Sequence, residues 1–213
     1  MIIVCKGGAY AVFITFEGID GCGKSTQAKM LFELLNKSGS AVLTHEPGGW
    51  DGGASLRALV LNGGLRHSWS EFYLFMLDRS EHAARVIEPA IAAGKHVVCE
   101  RYHDSTLAYQ VWGRKLPYGP LHDALSLASL PVPNITFFFS IAPEKALSRV
   151  SKRGAADAFE SEGLAFMKRV DEGYRTLAKN ESTRWVVIEC GDKTPDEIFE
   201  CVKNSLREKG LCL

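Results

Sequence analysis

A glycine-rich stretch near the amino terminus constrains this chain most strongly. Residues 18–26 read G-I-D-G-C-G-K-S-T and fit the pattern G-x-x-x-x-G-K-[S/T]. Residues 11–16 have the composition of a buried strand, and residues 27–35 carry apolar side chains at helical spacing. A strand, a glycine-rich turn and a helix in this order are the context that the motif requires. The pattern therefore predicts a loop that binds phosphate groups.

The residue types of this loop explain how it would bind phosphate. Glycines let the backbone turn tightly, so successive N–H groups can point at an anion, and the following helix presents its positive end to the same anion. We expect Lys24 to reach the β- and γ-phosphates and the Ser25 hydroxyl to ligate Mg²⁺. An ordinary glycine-rich turn that happens to end in Lys-Ser is the alternative. The flanking segments favour a nucleoside triphosphate site.

Composition narrows the choice of partners and compartment. Among the 213 residues, Lys and Arg together number 25, and Asp and Glu together also number 25. The net charge is therefore zero, and the composition gives no sign of the positive charge that nucleic-acid binding requires. The six cysteines form no C-x-x-C pair, which favours free thiols in a reducing cytoplasm. The apolar amino-terminal run leads straight into the phosphate loop, so we interpret it as a strand and not a signal peptide. No other stretch approaches the ~20 apolar residues that span a bilayer.

Strand-like and helix-like segments alternate along the rest of the chain. We predict strands at residues 41–44, 96–99, 135–141 and 185–188, and helices at residues 54–61, 71–93, 121–130, 144–152, 163–179 and 195–209. Ser70 is expected to cap the helix at 71–93, and Pro89 to kink or divide it. The alternation indicates an α/β fold with a five-stranded parallel sheet and helices on both faces. Because no linker is evident, we expect a single domain over residues 1–213.

Arginine and aromatic side chains collect near the ends of the second and third predicted strands and on the long helix. They are Arg57, Arg79, Arg101, Phe75, Tyr102 and Tyr109. Guanidinium groups suit phosphate and aromatic rings suit a base, so this set indicates a second, planar, anionic ligand. The fourth strand is followed by S-I-A-P and not by an N-K-x-D-type guanine-reading motif. Both features favour a small-molecule kinase over a GTPase or a mechanical ATPase.

These residues fall into motifs that resemble those of the thymidylate kinases. Residues 46–49 resemble the E-P-G-G turn, residues 75–79 the F-x-x-x-R segment, residues 101–110 the R-Y-x-x-S-T-x-A-Y-Q run and residues 149–160 the arginine-bearing lid. The resemblance spans residues 13–198 in order. It implies a P-loop NTPase fold of the nucleoside monophosphate kinase type, with a short mobile lid at about residues 149–162. It also implies transfer of the γ-phosphoryl group of ATP to dTMP, with Mg²⁺, by a cytoplasmic homodimer.

The resemblance also implies the site residues. The implied ATP site comprises Gly18, Ile19, Asp20, Gly21, Cys22, Gly23, Lys24, Ser25, Thr26 and Arg149. The implied dTMP site comprises Asp20, Glu46, Arg57, Phe75, Arg79, Arg101, Ser105, Tyr109 and Gln110. The implied Mg²⁺ ligands are Ser25, Asp20 and Glu100, and the implied catalytic side chains are Lys24, Arg101 and Arg153. Phe75 would stack on thymine, Arg79 would bond the base edge, and Arg57 and Arg101 would hold the acceptor phosphate.

Several positions depart from the family pattern. Glu100 stands where these enzymes usually have Asp, His45 replaces an arginine and Trp50 replaces a small polar residue. Cys22 occupies a position where one subgroup carries a catalytic arginine, so that role is expected to fall to the lid, although Ala158 stands where the lid often has an arginine. Two alternatives stay open. One is a kinase acting on dUMP, dCMP or a purine nucleotide, and the other is a nucleotide-dependent switch without kinase activity.

Overall fold

The computed structural model of the protein describes residues 11–152 and 158–211. Its strands form one parallel sheet in the order β2-β3-β1-β4-β5. They are β1 (Phe13–Glu17), β2 (Ala41–His45), β3 (His96–Glu100), β4 (Ile135–Ser140) and β5 (Trp185–Glu189). The predicted α/β fold with a five-stranded parallel sheet is therefore confirmed.

Helices connect the strands along the described part of the chain. They are α1 (Lys24–Leu35), α2 (Gly53–Leu61), α3 (Ser68–His82), α4 (Glu88–Ala92), α5 (His103–Thr106), α6 (Tyr118–Leu127), α7 (Pro143–Ser151), α8 (Leu164–Asn180) and α9 (Pro195–Glu208). Two π-helical segments, Ala83–Ile87 and Leu107–Gly113, continue α3 and α5. Short 3-10 turns occur at Asn36–Ser38 and Glu160–Glu162. Within residues 11–152 and 158–211, no helix is both long and apolar enough to cross a membrane.

The start of α3 corrects one prediction. The helix begins at Ser68, and the ring of His67 accepts a hydrogen bond from the Trp69 N–H at 3.3 Å. Ser70 therefore lies inside the first turn, and the prediction that it caps the helix is wrong. The predicted division near Pro89 is confirmed, because α-helical hydrogen bonding gives way to the π segment just before it. Inside a helix, proline removes a hydrogen bond and its ring collides with the preceding turn. In the first turn of a helix it is tolerated, and Pro89 lies in the first turn of α4.

The core lies on both faces of the sheet. All residues of β4 are buried, as expected for a central parallel strand covered on both sides. On one face Phe138 stacks on Tyr174 of α8, with 5.4 Å between ring centroids, and on the other Phe139 stacks on Phe16 of β1 at 5.3 Å. Helix α9 carries a capping box, in which Thr194 and Glu197 bond each other's backbone N–H.

Parallel pairing brings the carboxyl ends of three strands to one edge. Phe16 pairs with Glu100, and Glu100 pairs with His45. The phosphate loop leaves β1 at this edge, and the loop after β3 leaves it beside the phosphate loop. In open α/β sheets, ligands bind outside the carboxyl ends of the strands. The fold therefore places both predicted ligand sites next to each other.

Candidate active site

The phosphate loop packs tightly against the sheet and α7. Gly18 and Gly21 have φ values of 138° and 86°. A Cβ at Gly18 would lie 2.8 Å from the Phe139 carbonyl oxygen, and one at Gly21 would lie 2.5 Å from the Ala146 carbonyl oxygen. Glycine is required at both positions for its backbone conformation and for this close approach. Helix α1 starts at Lys24 without a side-chain cap, so its first N–H groups face the concave side of the loop.

Lys24 lies inside the loop and not on the surface. Its side chain is 3% exposed, and Nζ donates to the Ile19 carbonyl oxygen at 3.1 Å and lies 3.7 Å from Asp20 Oδ1. Cys22 is fully buried beneath it, and burial raises the pKa of the Cys22 thiol. The thiol therefore fills space behind the loop. Ser25 and Thr26, by contrast, are exposed at the start of α1.

Ser25 and Glu100 meet across the carboxyl edge of the sheet. Ser25 Oγ donates a hydrogen bond to Glu100 Oε1 at 2.9 Å. In the described part of the chain, no group of three or more His, Cys, Asp or Glu side chains is arranged to hold a metal ion. A hydroxyl and a carboxylate match the way in which Mg²⁺ is usually bound, by one or two protein oxygens together with substrate phosphates. This pair therefore fits Mg²⁺.

Asp20 and Arg101 form the central ion pair of the site. Arg101 Nη2 lies 2.5 Å from Asp20 Oδ1, and the Tyr109 hydroxyl donates to Asp20 Oδ2 at 3.0 Å. Burial alone would raise the pKa of Asp20, but the charges of Arg101 and Lys24 outweigh it and hold that pKa well below its usual range. Both oxygens of Asp20 are thus bonded, and its predicted contact with Mg²⁺ stays a prediction.

Arg101 adopts a backbone conformation that is uncommon for a residue with a side chain. Its φ is 65°, in the left-handed region. Tyr102, the residue after Arg101, donates a hydrogen bond from its backbone N–H to Glu17 Oε1 at 2.7 Å, and this bond fixes the turn. The Arg101 guanidinium lies 4.9 Å from the centre of the Tyr109 ring and also donates to Ser105 Oγ at 3.3 Å. The turn therefore aims this cation at the phosphate loop.

Glu17 is a site-forming residue that the motifs did not identify. Its Oε2 accepts from Ser105 Oγ at 2.6 Å and from the Tyr174 hydroxyl at 3.0 Å. Burial and the nearby Asp104 carboxylate raise the pKa of Glu17 to about 7. The only sequence signal for this role is a glutamate that ends an otherwise apolar strand. Its partners are far away in the sequence, so the pattern alone could not name them.

A cavity of about 350 Å³ adjoins the phosphate loop. Every residue that the family resemblance assigns to dTMP or Mg²⁺ lines this cavity, namely Asp20, Ser25, Glu46, Arg57, Phe75, Arg79, Glu100, Arg101, Ser105, Tyr109 and Gln110. The structure adds His45, Pro47, Leu61, Thr106 and Phe159 to the lining. The ring centroid of Phe159 lies 6.2 Å from that of Phe75 and 5.6 Å from that of Tyr109. These three rings form an aromatic wall of the cavity, and Phe159 belongs to the predicted lid segment.

Arg79 is buried at the floor of the cavity, and all three of its nitrogens bond to the protein. Nε donates to Glu46 Oε2 at 2.9 Å, and Nη1 donates to Thr106 Oγ1 at 2.8 Å. The other oxygen of Glu46 lies 3.0 Å from His82 Nδ1. Glu46 therefore acts on the cavity through Arg79. Nη1 carries a second N–H that could serve a base edge, and the predicted role of Arg79 stays a prediction.

Two further predicted cations, Arg57 and Arg149, lie in different places. Arg57 Nη1 donates to the Pro47 carbonyl oxygen at 2.9 Å, and Arg149 Nη1 reaches the Gly21 carbonyl oxygen at 3.4 Å. Arg149 thus lies on α7 beside the phosphate loop, away from the cavity. Arg153 and part of the predicted lid lie outside the described residues. In the described part of the predicted lid segment, the Ala158 N–H donates to the Leu61 carbonyl oxygen at 3.0 Å.

Comparisons with known proteins agree with this arrangement. A sequence model of the thymidylate kinase family matches residues 16–200. The thymidylate kinase of Solidesulfovibrio magneticus is 41% identical over 203 residues, which cover 90% of this chain and 96% of the relative. That of a Synechococcus species is 43% identical over 179 residues, which cover 83% of this chain and 85% of the relative. The crystal structure of thymidylate kinase from Ehrlichia chaffeensis matches with a TM-score of 0.77 and 31% identity, covering 92% of this chain and 98% of that one. The chain therefore belongs to the thymidylate kinase family.

Proposed function

We propose that this protein transfers the γ-phosphoryl group of ATP to dTMP and releases dTDP and ADP. The observation that carries this proposal is the junction of the phosphate loop and the cavity. Asp20 and Ser25 belong to the loop and also line the cavity. An acceptor in the cavity therefore lies directly beside a triphosphate in the loop. Such proximity is the main requirement of phosphoryl transfer.

The chemistry needs cations more than it needs a base. The second pKa of a phosphate monoester is about 6, so the acceptor oxygen is already anionic at neutral pH. The main obstacles are repulsion between two anions and the charge on the transferring group. Lys24, Arg101 and the first N–H groups of α1 are placed around the junction to offset that charge. Asp20 orients Arg101 through their 2.5 Å ion pair.

Ser25 and Glu100 would hold Mg²⁺ at this junction. The ion would neutralise charge that develops on the phosphate oxygens of the substrate. Because the Ser25 to Glu100 hydrogen bond already brings the two groups together, no rearrangement of the backbone is needed. Glu100 replaces the Asp common in the family, and the direct bond to Ser25 shows that its longer side chain reaches the loop.

The cavity suits a pyrimidine monophosphate. Phe75 and Phe159 supply apolar ring surfaces on which a base can stack, and Arg57 and Arg101 supply guanidinium groups for the monophosphate. Tyr109 and Ser105 lie between these two ends and suit the sugar. We further propose that Arg149 contacts the adenine side of ATP. Arg153 would close over the transferring group from the lid and exclude water.

A coupled assay for ADP formation tests the function. The protein is supplied with ATP and Mg²⁺, and dTMP, dUMP, dCMP, AMP and GMP are compared as acceptors. We expect the highest kcat/KM with dTMP. An acceptor that exceeds dTMP several-fold would contradict the substrate assignment. If no acceptor stimulates ADP formation, the protein is not a nucleotide kinase.

We also propose a homodimer in the cytoplasm. Tyr73 and Leu77 of α3 are 63% and 52% exposed, and Leu59 of α2 is 42% exposed. Tyr73 and Leu77 are four residues apart, so both project from one helix face. Large apolar side chains gathered in this way favour contact with another protein surface, here a second copy of the chain. Cys22, Cys99, Cys190 and Cys201 are free thiols, which supports a reducing compartment.

A further inference from the structure

Three oxygen atoms form a triangle next to the Arg101 guanidinium. Glu17 Oε2 lies 2.6 Å from Ser105 Oγ and 3.0 Å from the Tyr174 hydroxyl, and the two hydroxyls lie 2.8 Å from each other. Each of these three separations is a hydrogen-bond distance. The side chains come from β1, α5 and α8, and all three are buried. The three oxygens therefore depend on one another for hydrogen bonds.

The number of hydrogens decides whether this triangle is stable. A hydroxyl supplies one hydrogen and accepts through its lone pairs, whereas an ionised carboxylate only accepts. If Glu17 is ionised, Ser105 and Tyr174 supply two hydrogens for three contacts, so one pair of oxygens repels. If Glu17 is protonated, three hydrogens close a ring in which each oxygen donates once and accepts once. The geometry therefore fits a proton on Glu17.

The ionisable groups around Glu17 agree with this count. Burial, followed by the charge of Asp104, raises the pKa of Glu17 to about 7. Burial would also raise the pKa of Asp104, but His103 and Arg184 outweigh it and hold that pKa well below its usual range. These charges favour a proton on Glu17 and not on Asp104. Glu17 also faces Cys99 of β3, Arg101 after β3 and Tyr174 of α8, whereas β4 carries no ionisable side chain.

The triangle faces the cation of the proposed acceptor site. Arg101 Nη1 donates to Ser105 Oγ at 3.3 Å and to the Tyr174 hydroxyl at 3.2 Å. Because a closed ring uses the hydrogens of both hydroxyls, their remaining lone pairs face this donor. An ionised Glu17 would instead place a second carboxylate beside Arg101, which already pairs with Asp20. That charge would compete with the acceptor phosphate for the guanidinium.

We propose that Glu17 is a positioning residue that acts as a neutral carboxyl group: its proton closes the ring with Ser105 and Tyr174, and the ring directs Arg101 at the acceptor phosphate. The inference rests on the proposed function, in which Arg101 holds that phosphate. A phosphate on Arg101 offsets the charge that favours an ionised Glu17, so binding of dTMP raises the pKa of Glu17 further. Binding should therefore take up a proton, and the affinity for dTMP should fall as the pH rises through about 7.

Titration calorimetry of dTMP binding in buffers of different ionisation enthalpy measures this uptake. At about pH 7.5 the dTMP phosphate is already a dianion, because its second pKa is about 6. We expect the wild-type protein to take up roughly half a proton per dTMP bound, and Glu17→Gln, whose amide is neutral at every pH, to take up none. The ratio of kcat/KM for dTMP in Glu17→Gln to that in the wild type should increase several-fold between about pH 6 and about pH 8.5. A ratio that does not change with pH would overturn the inference and leave Glu17 a purely structural role.

Two control variants identify the group that takes up the proton. Glu144→Gln is a substitution of the same kind in an exposed ion pair with Lys168, and it should keep the uptake. His45→Gln removes another ionisable group that lines the cavity, and it should also keep the uptake. Uptake that persists in Glu17→Gln and disappears in His45→Gln would overturn the inference. If Glu17→Gln does not fold by circular dichroism, the other proteins decide, because absence of uptake in the wild type or in His45→Gln would overturn the inference. Absence of dTMP binding and turnover in the wild type would instead refute the proposed function.

Discussion

Ser25 Oγ donates a hydrogen bond to Glu100 Oε1 at 2.9 Å and so links the start of α1 to the end of β3. This link joins the helix that follows the phosphate loop to the strand whose next residue, Arg101, is proposed to hold the acceptor phosphate. The proposed donor and acceptor sites are therefore connected by one hydrogen bond. The carboxylate of this pair belongs to Glu100, which departs from the family pattern of a shorter Asp at this position.

Replacement of Glu100 tests the junction. We expect Glu100→Gln to lower kcat about tenfold or more and to raise the Mg²⁺ concentration needed for half-maximal rate, because a neutral amide is a poorer ligand for this cation. Glu100→Asp should retain equal or higher activity. A Mg²⁺ titration of ADP formation measures both variants. Wild-type Mg²⁺ dependence in Glu100→Gln would exclude Glu100 as a ligand.

Removal of the Lys24 ammonium group should abolish most turnover. Lys24→Ala takes away the buried cation of the phosphate loop, and we expect kcat to fall by a factor of about 100 or more. Lys29→Ala, on the exposed face of the same helix, is the matched control and should stay near the wild-type rate. Both rates are measured with saturating ATP and dTMP. Near-normal turnover of Lys24→Ala would remove the loop from the mechanism.

Arg101→Lys should be costly although the charge is kept. A lysine cannot reproduce the fork that bonds Asp20, Tyr109 and Ser105 together, so the cation would lose its orientation. We expect kcat/KM for dTMP to fall about 100-fold. The matched control is Arg207→Lys on the exposed side of α9, where the side chain bonds only Asn204 among the described residues. A loss below about threefold would contradict the positioning role.

Glu17 should make stability depend on pH near neutrality. Its pKa in the folded protein is about 7, above the ordinary value of 4.5, so the folded state keeps a proton that the unfolded chain releases. This contribution to the free energy of unfolding is fully present below pH 4.5 and is lost as the pH rises to about 7. In urea unfolding experiments, Glu17→Gln should therefore reduce the fall in the free energy of unfolding between pH 5 and about 7. Equal slopes in the variant and the wild type would contradict the raised pKa.

The apolar face of α3 should control assembly. Leu77→Glu places a charge in the proposed contact between two copies, where an unpaired charge is costly, and should shift the protein from dimer to monomer in light scattering. Leu127→Glu is the control, because Leu127 is 83% exposed and belongs to a different helix, α6. A wild-type protein that is monomeric at micromolar concentration would refute the homodimer.

Most of the fold could be predicted from local patterns. Glycine spacing identified the phosphate loop, because only glycine accepts φ values such as 138° at Gly18 with a carbonyl oxygen close by. Runs of apolar residues identified every strand to within two residues. The cap of α3 was missed, because the histidine ring that replaces a serine or aspartate there is recognised only by its geometry.

The sequence by itself determined the nucleotide-binding loop, the α/β fold and eleven of the sixteen residues that line the cavity, because each is encoded in short-range spacing or in ordered motifs. The tertiary structure decided how these side chains are paired. Glu17 meets Tyr174 across 157 positions, and Glu71 meets Gln110 across 39. It also showed that Glu46 holds Arg79 and that Asp20 holds Arg101. Contacts of this kind depend on how separate elements pack, and no local pattern encodes the distance between two atoms so far apart in the chain.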